Sequence, residues 1–86
     1  MNKLGIIGAG VMGTDLAHMT SEAGFQVRIY DINHKKAVMA QEIIAARLEE
    51  YIKKERMSAD EKNRILENIS VAENLGNISD SDIFLE

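Results

Sequence analysis

One segment near the start of the chain limits its fold more than any other. Residues 3–7, a short run rich in apolar side chains, lead into three glycines, Gly8, Gly10 and Gly13, at G-x-G-x-x-G spacing. An acidic residue, Asp31, ends a second apolar run eighteen positions after the last glycine. A strand, a glycine turn, a helix and a second strand that ends in an acid are the fingerprint of a dinucleotide-binding βαβ unit.

Each part of this fingerprint has its own physical role. Gly8 permits the tight turn from strand to helix, and Gly10 has no side chain to keep a pyrophosphate away from the backbone. Gly13 lets the helix pack closely on the strand, and the helix N-terminus directs N–H groups and a positive dipole end at phosphates. The predicted cofactor-binding residues therefore include the whole loop, Gly8, Ala9, Gly10, Val11, Met12 and Gly13. A simpler alternative is that the glycines only make a turn.

The acid after the second strand predicts which dinucleotide is bound. We expect Asp31 to accept hydrogen bonds from the adenosine ribose hydroxyls, so that a 2′-phosphate would meet a carboxylate. This favours NAD over NADP. The basic residues His34, Lys35 and Lys36 follow closely and leave NADP as a weaker alternative.

Composition narrows the remaining classes of function. The chain has 86 residues and is expected to form one domain, 1–86, as the N-terminal part of a larger protein. A net charge of −4 argues against nucleic acid as a partner, because phosphate-backbone binding needs a basic surface. There is no cysteine, and the two histidines lack a metal-ligand pattern, so no metal is expected. The sequence shows neither a membrane-span length nor a signal-peptide pattern, which predicts a cytoplasmic protein without a membrane partner.

Hydrophobic periodicity predicts alternating strands and helices. The expected elements are strand 2–7, helix 11–23, strand 26–31, helix 34–56, helix 59–68, strand 69–73, a helical turn at 75–80 and a strand from Ile83. The long helix carries an apolar stripe, widened at its edges by Ile43 and Ile52. Its members are Ala37, Ala40, Ile44, Leu48 and Tyr51. Ser58 and Glu61 have capping-box spacing at the start of the next helix.

These elements predict an α/β fold, a partial Rossmann domain of the doubly wound parallel-sheet type. We expect the strand order 3-2-1-4, with a helical hairpin between strands 2 and 3 and with strands 5 and 6 absent. The chain is accordingly expected to be a truncated domain. The open edge of strand 4 then predicts self-association, since an exposed apolar edge is a site for pairing.

The loop and the residues after it also resemble one enzyme family. Gly8 to Gly13, Tyr30-Asp31-Ile32-Asn33, the helical hairpin and the segment 80–86 are together similar to the 3-hydroxyacyl-CoA dehydrogenases. The resemblance covers the whole chain. It implies fatty acid metabolism, with hydride transfer between NAD and a 3-hydroxyacyl or 3-ketoacyl thioester. It also implies that the catalytic histidine–glutamate pair has no counterpart among these residues, so the isolated chain is expected to be inactive.

The resemblance implies two further points about individual residues. The hairpin of this family contacts coenzyme A, which makes Lys54 a candidate for binding an acyl-CoA substrate; the simpler alternative is an exposed charge. The family often has a small residue where this chain has Asp15, which we expect to point to solvent or to cap the helix. We expect Met12 to be half-buried beside the cofactor, and His18 to be a packing or surface residue. Three further methionines are expected to be core or edge residues: Met19, Met39 and Met57.

Two other functions stay open at this point. One alternative is a non-catalytic nucleotide-binding or interaction module that kept the fold after losing its substrate half. Alternatively, the chain belongs to a dehydrogenase whose hydroxyacyl group is carried by an acyl carrier protein.

Overall fold

The computed structural model describes residues 3–74 and Gly76, and the backbone of one further strand. Its elements are β1 (Lys3–Ile7), α1 (Val11–Glu22), β2 (Gln26–Tyr30), α2 (His34–Lys53), α3 (Ala59–Glu67), β3 (Ile69–Val71) and β4 (Asp82–Leu85). This confirms the predicted α/β class and the helical hairpin between the second and third strands. Most of the turn predicted at 75–80 lies outside the described residues.

The four strands form one parallel sheet in the order β3-β2-β1-β4. The register places Leu4 beside Val27 and Ile6 beside Ile29. Parallel pairing brings the carboxyl ends of β1 and β2 to the same edge of the sheet. The segments that follow these two strands, 8–10 and 31–33, therefore lie side by side.

The core lies between the sheet and the helices. Val27 and Ile29 are buried on β2, whereas Gln26 and Arg28, which alternate with them, are exposed, as expected for a strand covered on one face. The buried cluster combines strand and helix side chains and contains Leu4, Ile6, Ala17, Val27, Ile29, Ala37, Ala40, Ile44, Leu48, Ile65 and Ile69. Four of the five members predicted for the α2 stripe are in it, and Tyr51 packs against it half-buried.

Some predicted apolar contacts are wrong. Ile43 is 42% exposed and does not widen the buried stripe, although Ile52 is half-buried. Met19 and Met39, which the sequence suggests as core or edge residues, are both largely exposed, and only Met57 packs against the core. These residues lie beside the apolar face of their helix, where spacing alone does not decide exposure.

The long helix ends earlier than the predicted residue 56. Its last residue is Lys53, and Glu55 adopts the left-handed backbone conformation with φ 58°. The Glu55 N–H donates to the Ile52 carbonyl at 2.9 Å and the Arg56 N–H donates to the Tyr51 carbonyl at 2.8 Å. This is a Schellman motif, which usually has glycine at the left-handed position.

The next helix begins as predicted. The Ser58 hydroxyl accepts a hydrogen bond from the Glu61 N–H at 3.1 Å, which confirms the hydroxyl half of the capping box. Within the described residues, none of the helices has the length and apolar character needed to cross a bilayer.

The helix end at Glu55 predicts a stabilising substitution. Glu55→Gly should raise the free energy of unfolding by about 0.5–1 kcal/mol, because glycine adopts positive φ without a steric cost. Glu50→Gly is the matched control: it removes the same side chain inside α2 and should lower the stability by about 1 kcal/mol. Urea unfolding measures both. A loss of stability in Glu55→Gly would contradict this account of the helix end.

Candidate dinucleotide-binding site

The glycine loop begins with a backbone conformation that favours glycine. Gly8 has φ 104°, so the chain leaves β1 through the left-handed half of the φ range. Its N–H donates to the Tyr30 carbonyl at the end of β2, with an N to O distance of 2.8 Å. The predicted turn at Gly8 is therefore confirmed, and it is tied to the neighbouring strand.

Asp31 fastens the same loop from the other side. Its Oδ2 accepts from the Ala9 N–H at 2.9 Å, and its Oδ1 accepts from the Asn33 N–H at 2.8 Å. The hydrogen bond from Ala9, followed by that from Asn33, holds the pKa of the Asp31 carboxyl below its usual value. Asp31 is thus a charged group at the edge of the loop. Each carboxylate oxygen has further lone pairs with which to accept from a ribose hydroxyl.

The start of α1 is suited to an anion. Gly10 is the N-cap with an extended backbone, and its carbonyl accepts the first helical bond, from the Thr14 N–H at 2.9 Å. N–H groups in a first helical turn have no acceptor inside the helix, and the helix dipole makes that end positive. Gly13 is buried, as its predicted packing role requires. The loop residues present here therefore fit a diphosphate.

A shallow groove of about 280 Å³ runs from this loop along α2. Its lining is mainly apolar with two cations at its rim, and consists of Ala9, Gly10, Val11, Thr14, Lys36, Met39, Ala40, Ile43 and Arg47. Met12, predicted to be half-buried, is 75% exposed, so that expectation is wrong for the protein alone.

Two residues of the site carry signals that the sequence reasoning left unused. Ile32 directly follows the acid and is 94% exposed, which places an apolar side chain in solvent at the end of β2. Arg47, on α2, forms an ion pair with Asp15, with NH1 to Oδ1 at 2.8 Å. An apolar residue just after a strand is visible in the sequence. The ion pair is not, because its members lie on different helices.

Asp15 takes one of the two predicted positions, since it is exposed but does not cap the helix. The first turn of α1 contains no acidic residue, so Asp15 belongs to the second turn and does not cap the helix. Its side chain is 57% exposed, as predicted for a residue that points to solvent, and the Arg47 guanidinium binds it there.

His18 is a packing residue, as expected. It is only 8% exposed, and its Nε2 lies 2.6 Å from Glu22 Oε1. Its Nδ1 lies 3.4 Å from Arg47 NH1. A guanidinium can only donate, so Nδ1 accepts and the Nε2–H donates to Glu22. The imidazole therefore links the two helices.

The structure does not bring Lys54 to this site. Lys54 is the exposed C-cap of α2, and its N–H donates to the Glu50 carbonyl at 3.1 Å. It lies about 30 Å along the helix from His34, at 1.5 Å per residue. Lys53, Glu55 and Arg56 are exposed around it.

The fold and the loop together define a dinucleotide-binding α/β domain. Residues 3–86 match the family model for the NAD-binding domain of 3-hydroxyacyl-CoA dehydrogenase. The chain therefore belongs to this family, whose cofactor is NAD.

Individual relatives agree with this assignment. The chain is 31% identical over all its 86 residues to a 3-hydroxybutyryl-CoA dehydrogenase of Bradyrhizobium diazoefficiens and covers 29% of that protein. A crystal structure of (S)-3-hydroxybutyryl-CoA dehydrogenase from Ralstonia eutropha superposes with a TM-score of 0.93 at 25% identity, covering 100% of this chain and 31% of that one. A crystal structure of 3-hydroxybutyryl-CoA dehydrogenase from Escherichia coli superposes with a TM-score of 0.91 at 25% identity, covering 98% of this chain and 18% of that one. The chain thus spans under a third of the length of these relatives.

The Asp31 contacts predict how acid affects the protein. The pKa of Asp31 is lowered by folding, so its contribution to stability is present at neutral pH. That contribution is lost as the pH falls below about 4 and through the folded-state pKa. Asp31→Asn should therefore cost about 1–2 kcal/mol at pH 7 and progressively less below pH 4, as measured by urea unfolding. Glu42→Gln, an exposed carboxylate on α2, is the control and should cost under about 0.5 kcal/mol. If Asp31→Asn lowered the free energy of unfolding equally at pH 7 and below pH 4, the anchoring role of Asp31 would be contradicted.

Proposed function

We propose that this chain holds NAD through the loop Gly8–Gly13 and Asp31, as the cofactor-binding part of a 3-hydroxyacyl-CoA dehydrogenase. The observation that carries the proposal is the hydrogen bond from the Ala9 N–H to Asp31. It places the acid that follows β2 against the glycine loop, so that a ribose and a diphosphate can be bound side by side.

Each part of the cofactor has a matching group. The N–H groups at the start of α1 suit the diphosphate, and the Asp31 carboxylate suits the ribose hydroxyls. Ile32, exposed beside Asp31, offers an apolar surface for the adenine ring. When bound, NAD supplies the hydride acceptor of an alcohol oxidation. The residues described here bind and orient it, and we assign no catalytic residue among them.

The substrate half of the proposal rests on the family. The relatives named above act on 3-hydroxybutyryl-CoA, and we infer that the protein to which this chain belongs oxidises or forms a 3-hydroxyacyl thioester. A role in fatty acid metabolism and a cytoplasmic location are part of this inference. We also infer self-association through β4, the last strand in the sheet order of the described chain, which sedimentation at several concentrations tests.

Binding of NADH to the purified 86-residue chain tests the cofactor assignment. NADH fluorescence should show saturable binding, with NADPH bound more weakly because its 2′-phosphate meets Asp31. Asp31→Ala should weaken NADH binding roughly tenfold or more, since it removes a charged hydrogen-bond acceptor and loosens the loop.

Asp60→Ala provides the charge-matched control for this titration. Asp60 is an exposed acid in the first turn of α3 and lines no part of the groove, so its loss should leave NADH affinity within about twofold. No binding of NADH at millimolar concentration would refute the proposed function for this chain. Unchanged affinity in Asp31→Ala would refute the role of Asp31 alone.

Coenzyme A is the probe for the predicted role of Lys54. If Lys54 contacts the phosphates of an acyl-CoA, Lys54→Gln should weaken coenzyme A binding several-fold, by loss of one charged contact. Lys53→Gln changes the neighbouring exposed lysine and should have little effect. Equal effects of the two substitutions would indicate a diffuse electrostatic attraction and would argue against a specific contact at Lys54.

A further inference from the structure

The Arg47 side chain connects the dinucleotide groove with an acidic residue on the neighbouring helix. Arg47 lies on α2 and lines the groove together with Gly10 and Thr14 of the loop and α1. Its NH1 is 2.8 Å from Asp15 Oδ1, and the two side chains are 37% and 57% exposed. His18 Nδ1, 3.4 Å from the same nitrogen, holds the guanidinium towards α1. The ion pair is therefore placed at the edge of the groove.

Asp15 on its own would oppose the binding of an anion. It lies five residues after the N-cap Gly10, about 7.5 Å along the helix axis at 1.5 Å per residue. A carboxylate in that place offsets the positive end of the helix dipole and repels a diphosphate. At such a distance and with partial exposure to water, one unpaired negative charge weakens binding of a doubly charged group by roughly three- to tenfold.

We propose that Arg47 is a positioning residue for the dinucleotide: by pairing with Asp15 it cancels the negative charge beside the helix N-terminus. This inference rests on the proposed function of the loop. Arg47 acts on the diphosphate by balancing the charge of Asp15, so removing both side-chain charges together should leave the affinity unchanged. That balance separates the proposal from a direct contact between Arg47 and a phosphate, because removal of Asp15 would not restore a lost contact.

A double-mutant cycle in the 86-residue chain tests it, with NADH and ADP as probes. Arg47→Met should weaken the binding of both probes roughly three- to tenfold, and Asp15→Asn should strengthen it by a similar factor, because it leaves the Arg47 charge unopposed. The double variant should bind within about twofold of the unaltered protein. Arg47→Lys keeps the positive charge and should restore most of the affinity. The effect of Arg47→Met should shrink in 0.5 M salt, where the screening length falls to about 4 Å.

Lys62→Met is the matched control. Lys62 pairs with Glu49 at 2.6 Å between α3 and α2, and neither residue lines the groove, so the loss of this ion pair should not change affinity. Unfolding midpoints without ligand show whether each variant is folded. Should Arg47→Met not fold, Asp15→Asn carries the test: it should bind more tightly than the unaltered protein, and unchanged affinity would overturn the proposal.

The possible outcomes are distinct. A double variant that binds as weakly as Arg47→Met would overturn the proposal and assign Arg47 a direct phosphate contact. Unchanged affinity in both single variants would show that the ion pair plays no part in binding. If the unaltered chain binds neither NADH nor ADP, the proposed function itself fails, and this inference fails with it.

Discussion

The hydrogen bond between the Ala9 N–H and Asp31 is the contact on which the site depends. It joins the segment after β1 to the segment after β2. The hydrogen bond from the Gly8 N–H to the Tyr30 carbonyl makes a second link beside it. The parallel register of the two strands brings their ends together, and these two bonds fix the loop there. The loop geometry thus depends on Asp31, which lies twenty-two positions after Ala9. The same carboxylate is charged and can also bind a ligand.

Much of the fold could be predicted because it follows from local patterns. The alternating apolar residues of β2 and the three- and four-residue spacing on α2 are repeated signals, and most of the predicted core is buried. The end of α2 was missed because the left-handed position is taken by Glu55, whereas the sequence signal for such an end is glycine. The exposure of Met19 and Met39 depends on where the neighbouring helix lies, which spacing within one helix does not show.

The site divides in the same way. The glycine positions and Asp31 could be identified because the motif has fixed spacing along the chain. The ion pair between Asp15 and Arg47 could not, since it depends on how α1 packs against α2 and joins residues far apart in sequence. For Asp31, the motif identifies the residue but not its anchoring role. Its hydrogen bond with the Ala9 N–H depends on the register of β1 and β2, which the sequence does not show.

Local charge, more than net charge, decides whether an acidic protein can bind an anionic cofactor. The chain has a net charge of −4, yet a dinucleotide diphosphate would lie at a helix N-terminus with Lys36 and Arg47 at the rim of the groove. Two acids near this place are each engaged, Asp31 by two backbone N–H groups and Asp15 by Arg47. Backbone donors, more than the nearby Lys36, stabilise the Asp31 charge, so this carboxylate stays available to ribose hydroxyls. A guanidinium instead cancels the Asp15 charge, which has no comparable use. Because Asp31 is held by backbone N–H groups, it keeps a negative charge that can bind the ribose. Because Asp15 is held by a guanidinium, its charge no longer opposes the diphosphate.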